Sequence, residues 1–156
     1  MVGHEPMRHR IAASIVGLVL GALLCLGIAG AGPAAARTID VTQSAELRLV
    51  RKSGSVLYER GTASGTLPGS VSARFVVNVL KVTGDVTFYP RAGGSITFRA
   101  EGFPKSSGAR SRVAGTMAIV GGTGRYANAR GGATFNGVVN RRSWAVSVSA
   151  TGRMRY

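Results

Sequence analysis

The chain has 156 residues, with 20 lysines and arginines against 6 acidic residues and a formal net charge of +14. Its two histidines and its only cysteine, His4, His9 and Cys25, all precede residue 36. The length suffices for one domain with its own core. The part after residue 36 contains no histidine or cysteine, so it lacks the residues for Ser-His-Asp or Cys-His catalysis, for a His or Cys metal site and for disulfides. No carboxylate cluster indicates a calcium site, so no metal is expected.

The first 36 residues are predicted to be a helical signal peptide. A basic start at 7–10 precedes a largely apolar run at 11–32, and the alanines at 34–36 provide the small residues that signal peptidase requires. We therefore expect a secreted or cell-envelope protein that begins at Arg37. The apolar run also approaches the ~20 residues that span a bilayer, so an uncleaved membrane anchor is the alternative.

Export in a bacterial host with a Sec pathway tests this leader. We expect mass spectrometry of the exported protein to give a chain that begins at Arg37, because cleavage should follow the alanines that end the apolar run. A full-length chain retained in the membrane fraction would contradict cleavage and support the anchor.

After residue 36 the sequence predicts strands joined by short turns. Helix signals are nearly absent, and apolar and polar residues alternate with period two, most clearly over 144–156. We predict a linker over 37–44 and then eight strands near 45–52, 55–66, 70–82, 85–90, 94–102, 110–120, 132–140 and 143–155. Closing such a meander removes its exposed edges. The prediction is an all-β fold, an eight-stranded antiparallel up-and-down barrel over 45–156.

One predicted strand departs from this alternation. Residues 75–80 are apolar on both faces except for Asn78. A strand buried on both sides packs inward against the core and outward against another partner. We expect that partner to be a second subunit, with a terminal segment as the alternative, and we expect Asn78 to face the lumen.

A glycine-rich loop follows the sixth predicted strand. Residues 122–127 match the G-x-G-x-x-A pattern of dinucleotide sites. Such a site needs a helix within a crossover of about 30 residues, and six residues cannot supply it. No acidic residue lies ~20 positions downstream to hold a ribose. We therefore predict no nucleotide, and expect Gly121, Gly122 and Gly124 to adopt turn conformations with positive φ while Tyr126 closes one end of the barrel.

The run 115–131 resembles the glycine-rich segment of the allene oxide cyclase and dirigent barrel group. The matching residues are 121–124, Arg125, Tyr126 and 129–131. The run is also similar to uncharacterised secreted bacterial proteins that share this loop. The resemblance implies a calycin-like barrel, trimers as in plant members, no cofactor, and an apolar ligand or an isomerase or cyclase reaction on a lipid-like or phenolic intermediate. The catalytic carboxylate motifs of the plant members have no match here.

Four side chains are candidates for a ligand or catalytic site. Glu59 shares a face with Leu57 and is the best candidate for a carboxylate in the lumen, where burial would raise its pKa and allow acid or base catalysis. A surface pair with a neighbouring arginine is the alternative. Asn78, Tyr126 and Trp144 are the candidate ligand-binding residues.

The basic residues suggest a different partner. Removing the leader leaves 18 basic and 5 acidic residues, a net charge of +13. We expect Arg141, Arg142, Arg153 and Arg155 to share one basic surface that binds an anionic polymer. Nucleic acid is a weaker choice, because no recognised motif is present. Apolar ligand binding, isomerase or cyclase activity and polymer adhesion therefore all stay open.

Overall fold

The computed structural model describes residues 36–156, which form one closed antiparallel barrel. Each strand pairs with the next along the chain, and the last pairs with the first. The prediction of an all-β, eight-stranded antiparallel barrel is confirmed, whereas the predicted signal helix lies outside the described residues. The strands are β1 (Thr38–Ser53), β2 (Val56–Gly65), β3 (Gly69–Val77), β4 (Val82–Pro90), β5 (Ser95–Pro104), β6 (Arg110–Thr123), β7 (Arg130–Asn140) and β8 (Val146–Arg155).

The first strand begins earlier than predicted. Residues 38–44 pair with the end of β8, from Thr38 opposite Arg155 to Ser44 opposite Ser149, so they form barrel wall rather than a linker. Polar residues at most of these positions hide the strand signal. What makes them a strand is a partner more than a hundred residues away, which local patterning does not reveal.

The apolar run at 75–80 is a hairpin end and not a long strand. β3 stops at Val77, and the backbone N–H of Asn78 donates to the carbonyl of Lys81 at 2.9 Å. Val79 and Leu80 at the tip are 94% and 81% exposed. The prediction of a strand buried on both faces is therefore wrong, and the expected second subunit loses the observation that suggested it.

Two bulges change which residues face inward. Val50 in β1 and Val120 in β6 have no partner where the register shifts, and both side chains are exposed. An extra residue moves every following side chain to the opposite face. Lys52 consequently lies opposite the buried Leu57, and Gly122 rather than its neighbour joins the inner face.

The glycine-rich loop is only partly as predicted. A single 3-10 turn over Gly124–Tyr126 leads to β7, and only Gly124 of the three glycines has a positive φ, of 60°. Gly121 and Gly122 belong to β6, so a turn role for them is wrong. Gly122 serves close packing instead, because a Cβ there would lie 2.3 Å from the carbonyl oxygen of Tyr126.

One end of the barrel is sealed by side chains. Tyr126 is 1% exposed, and its ring lies 4.9 Å from that of Tyr156. The buried amide of Gln43 donates to the carbonyl of Leu67 at 2.9 Å and accepts from its N–H at 3.0 Å, which holds the β2–β3 connection over the lumen. We call this the closed end. Among residues 36–156 no helix is long and apolar enough to cross a bilayer.

Candidate functional site

The opposite end of the barrel opens into a cavity of about 720 Å³. Four connecting turns surround it, at 54–55, 78–81, 105–109 and 141–145, and we call this the open end. Voids deeper in the lumen measure only about 30 and 40 Å³, so the cavity occupies the outer half of the barrel. Its volume lies within the ~300–1,000 Å³ of small-molecule sites.

The cavity is lined mainly by apolar side chains from most of the strands. Phe135 and Ala100 lie at its inner limit, three inward positions from the open end. Small residues along the wall make room for the cavity. Gly137, for example, lines it at a position where a larger side chain would occupy part of the volume. The other apolar strand residues of the wall are Leu57, Phe75, Val77, Val82, Pro104, Val113, Val139, Val146 and Val148.

Among the described residues, Glu59 is the one carboxylate in this wall. It is 1% exposed, and neither carboxylate oxygen has a hydrogen-bond partner within residues 36–156. Burial raises the pKa of Glu59 from its ordinary value to about 7. Arg60 and Arg74 are exposed, and none of the three ion pairs among the described residues includes Glu59. The surface-pair alternative therefore does not describe this residue.

An unpaired carboxyl group of this kind can act in two ways. In its neutral form it can donate a hydrogen bond to a ligand oxygen, and in its ionised form it can accept a proton. Each carboxylate oxygen exposes less than 1 Å², so a bound molecule reaches it only if neighbouring wall side chains move. Whether Glu59 is catalytic stays a prediction, because an unsatisfied carboxyl group in a cavity also suits a polar group of a ligand that is only bound.

Cations and one aromatic ring surround the opening of the cavity. Lys52 places its Nζ 4.5 Å from the centre of the Trp144 ring. Arg141 lines the cavity and donates from Nη2 to the Ser111 hydroxyl at 3.5 Å, and Ser111 in turn donates to the carbonyl of Ser106 at 2.6 Å. These contacts hold one wall of the opening together.

The sequence reasoning missed some of these residues. Ser111 is buried on the same face as Val113, and the alternation in β6 would have placed it there. Lys105 lies in a turn, where no periodicity applies. Lys52 turns toward the opening only because of the bulge at Val50, for which the sequence carries no clear signal.

The three predicted ligand-binding residues do not lie together. Asn78 and Trp144 both line the open cavity, from turns rather than from the predicted strands, and Trp144 has a φ of 59°. Tyr126 lies at the closed end and does not line the cavity. Burial raises its pKa, while the nearby guanidinium of Arg125 opposes that shift. Tyr126 therefore lies apart from the cavity that Asn78 and Trp144 line, and its predicted contact with a ligand stays a prediction.

The four predicted anion-binding arginines are also separated. Arg141 and Arg142 lie at the open end, whereas Arg153 and Arg155 lie at the other end of β8, roughly 30 Å away at ~3.3 Å per residue. Arg153 also donates from Nε to Asp40 at 2.9 Å. One shared basic surface is therefore wrong, although each barrel end separately carries several cations.

Comparison with protein-family models, with curated proteins and with solved structures gives no significant match for this chain. Within residues 36–156, no three His, Cys, Asp or Glu side chains lie close enough together to hold a metal ion. The candidate site therefore has to be interpreted from its own geometry.

Proposed function

We propose that this chain is a secreted or cell-envelope barrel protein that binds a small apolar ligand in the cavity at its open end. The observation that carries the proposal is the cavity of about 720 Å³, walled by apolar side chains and closed at its inner limit. Burying an apolar molecule there would release ~25 cal/mol per Å² of apolar surface removed from water. The resemblance of the loop at 115–131 to the allene oxide cyclase and dirigent barrel group supports the same kind of ligand.

A substitution pair on adjacent residues of β7 tests this proposal. Val139 lines the cavity, while its neighbour Val138 points to solvent. We expect Val139→Trp to weaken binding of a neutral naphthylamine probe by about tenfold or more, because the indole ring fills space that the probe needs. Fluorescence titration, with energy transfer from Trp144 in the parent chain, measures the dissociation constant.

Val138→Trp is the matched control and should bind the probe like the parent chain. High salt should leave the affinity nearly unchanged, because a neutral probe has no charge for salt to screen. Equal affinities for the two tryptophan variants, or no saturable binding by the parent chain, would contradict a ligand site in this cavity.

Turnover of the bound molecule is a second candidate, favoured by the unpaired Glu59 and its pKa of about 7. An isomerase or cyclase that acts on a lipid-like or phenolic compound needs a positioned acid or base of this kind. Glu59→Gln keeps the shape of the side chain and removes its titration. If the Glu59→Gln variant still binds the probe but no longer converts a lipid-like or phenolic compound that the parent chain converts, Glu59 is catalytic. If the variant converts that compound like the parent chain, Glu59 has no catalytic role.

A further inference from the structure

The most exposed apolar side chains of the described residues lie beside the opening of the cavity. Val79 and Leu80 are 94% and 81% exposed at the tip of the β3–β4 hairpin, and Asn78 and Val79 line the cavity itself. Phe103, also exposed, lies near the end of β5 beside the partner of Val82. The side chains at this hairpin tip do not pack against the core, so the stability of the fold does not explain why valine and leucine occur there.

The charges of the turns at the same end are all positive. We define the mouth face as the turns at 54–55, 78–81, 105–109 and 141–145 together with the adjacent Lys52 and Arg110. This face contains no acidic residue, and its six cations are Lys52, Lys81, Lys105, Arg110, Arg141 and Arg142. Within residues 36–156, Lys81 alone among them has an ion-pair partner, Glu101 at 3.2 Å. Five cations without a carboxylate partner among the described residues therefore lie around the opening and the exposed apolar tip.

We propose that the mouth face docks on an anionic lipid bilayer, with Val79 and Leu80 inserted at the level of the headgroups. Apolar residues that enter the interface and lysines and arginines that contact anionic headgroups are the two features that hold peripheral proteins on membranes. Both features occur on the face that contains the opening of the cavity, so docking would place that opening against the lipid. An apolar ligand would then pass between bilayer and cavity without crossing water. The passage of a ligand between bilayer and cavity rests on the proposed function, but the docking surface itself does not.

Vesicle binding tests the docking surface without any ligand. Trp144 is the only tryptophan of the chain and lies on the mouth face, so its emission reports contact with lipid. We expect the full chain after leader removal to cosediment with vesicles of phosphatidylglycerol and phosphatidylcholine, with a blue shift of Trp144 emission and quenching by brominated lipid. Vesicles of phosphatidylcholine alone, or 1 M salt, should weaken binding by at least about tenfold, because the cations then lose their attraction.

Paired variants separate the mouth face from the rest of the surface. Val79→Ser with Leu80→Ser should weaken binding to anionic vesicles by about tenfold, since the apolar insertion is lost. Tyr89→Ser with Val120→Ser removes two exposed apolar side chains near the closed end and should bind like the parent chain. The tip residues are exposed, so both variants are expected to fold, which circular dichroism checks.

Three results would overturn the docking proposal. They are equal binding to neutral and anionic vesicles, unchanged binding by the tip variant, and a concentration-dependent dimer that the tip variant loses while no vesicle binding occurs. The last result would show that a second copy of the chain covers the tip. Probe binding in solution is measured separately, so failure of the vesicle test leaves the proposed ligand site standing, and failure of the probe test does not affect the docking surface.

Discussion

Replacing Gly122 by alanine should destabilise the barrel by about 3 kcal/mol or more, a large part of the ~5–15 kcal/mol that holds a domain of this size. Gly122 faces inward beside the turn that closes the barrel. A Cβ at this position would lie 2.3 Å from the carbonyl oxygen of Tyr126 and 2.9 Å from that of Ser95. Both atoms belong to the backbone, so the clash can be relieved only if β5 or the closing turn moves. Urea unfolding followed by circular dichroism measures the loss.

Of the two neighbouring glycines, Gly121 is the control for this prediction and Gly124 gives a second test of the loop. Gly121→Ala should change stability by no more than about 0.5 kcal/mol, because no heavy atom lies within 4 Å of the new Cβ. Gly124→Val should also be destabilised, because a β-branched residue is strained at a φ of 60°. A Gly122→Ala variant that unfolds like the parent chain and loses only ligand binding would contradict an architectural role for this loop.

Replacing Glu59 by glutamine should remove most of the pH dependence of stability between about pH 4.5 and 7. The pKa of Glu59 is about 7 in the folded barrel and near its ordinary value of 4.5 when the chain unfolds. Over this interval the unfolded chain loses the proton while the folded chain retains it, so stability falls as the pH rises and becomes constant above about pH 7. The total loss is at most about 3 kcal/mol, from ~1.36 kcal/mol per pH unit.

Comparing the free energies of unfolding of the parent chain and the Glu59→Gln variant isolates the contribution of this carboxyl group. At pH 5 the glutamine variant and the parent chain should have similar free energies of unfolding, whereas at pH 8 the variant should be more stable by about 2–3 kcal/mol. Residues 36–156 contain no histidine or cysteine, the side chains that ordinarily titrate in this range. Lys105 and Arg141, the cations that line the same cavity, are present in both proteins. Parallel stability curves from pH 5 to pH 8 would mean that water in the cavity solvates the ionised Glu59.

Local patterning predicted much of the barrel wall and the candidate site residues Glu59, Asn78 and Trp144, although the last two reach the cavity from turns. Period-two alternation made Glu59 the best candidate for an inward carboxylate, with a surface pair as the alternative, and the structure places this side chain in the wall of the cavity. The same alternation predicted the faces of β8, where Val146, Ala150 and Met154 are buried. These features follow from the sequence because the side chains of a strand alternate between its two faces whatever the strand pairs with.

The sequence by itself therefore determined the all-β class, the strand count and the inward face of most strands. The tertiary structure decided the features that depend on distant partners: the wall position of residues 38–44, the exposed tip at Val79, and the location of Tyr126 and Trp144 at opposite ends. The bulge at Val50 also belongs here, because it turns Lys52 toward the opening. Closure is the physical reason. Pairing of β1 with β8 closes the barrel wall, and it joins residues too far apart in the chain for local alternation to relate them.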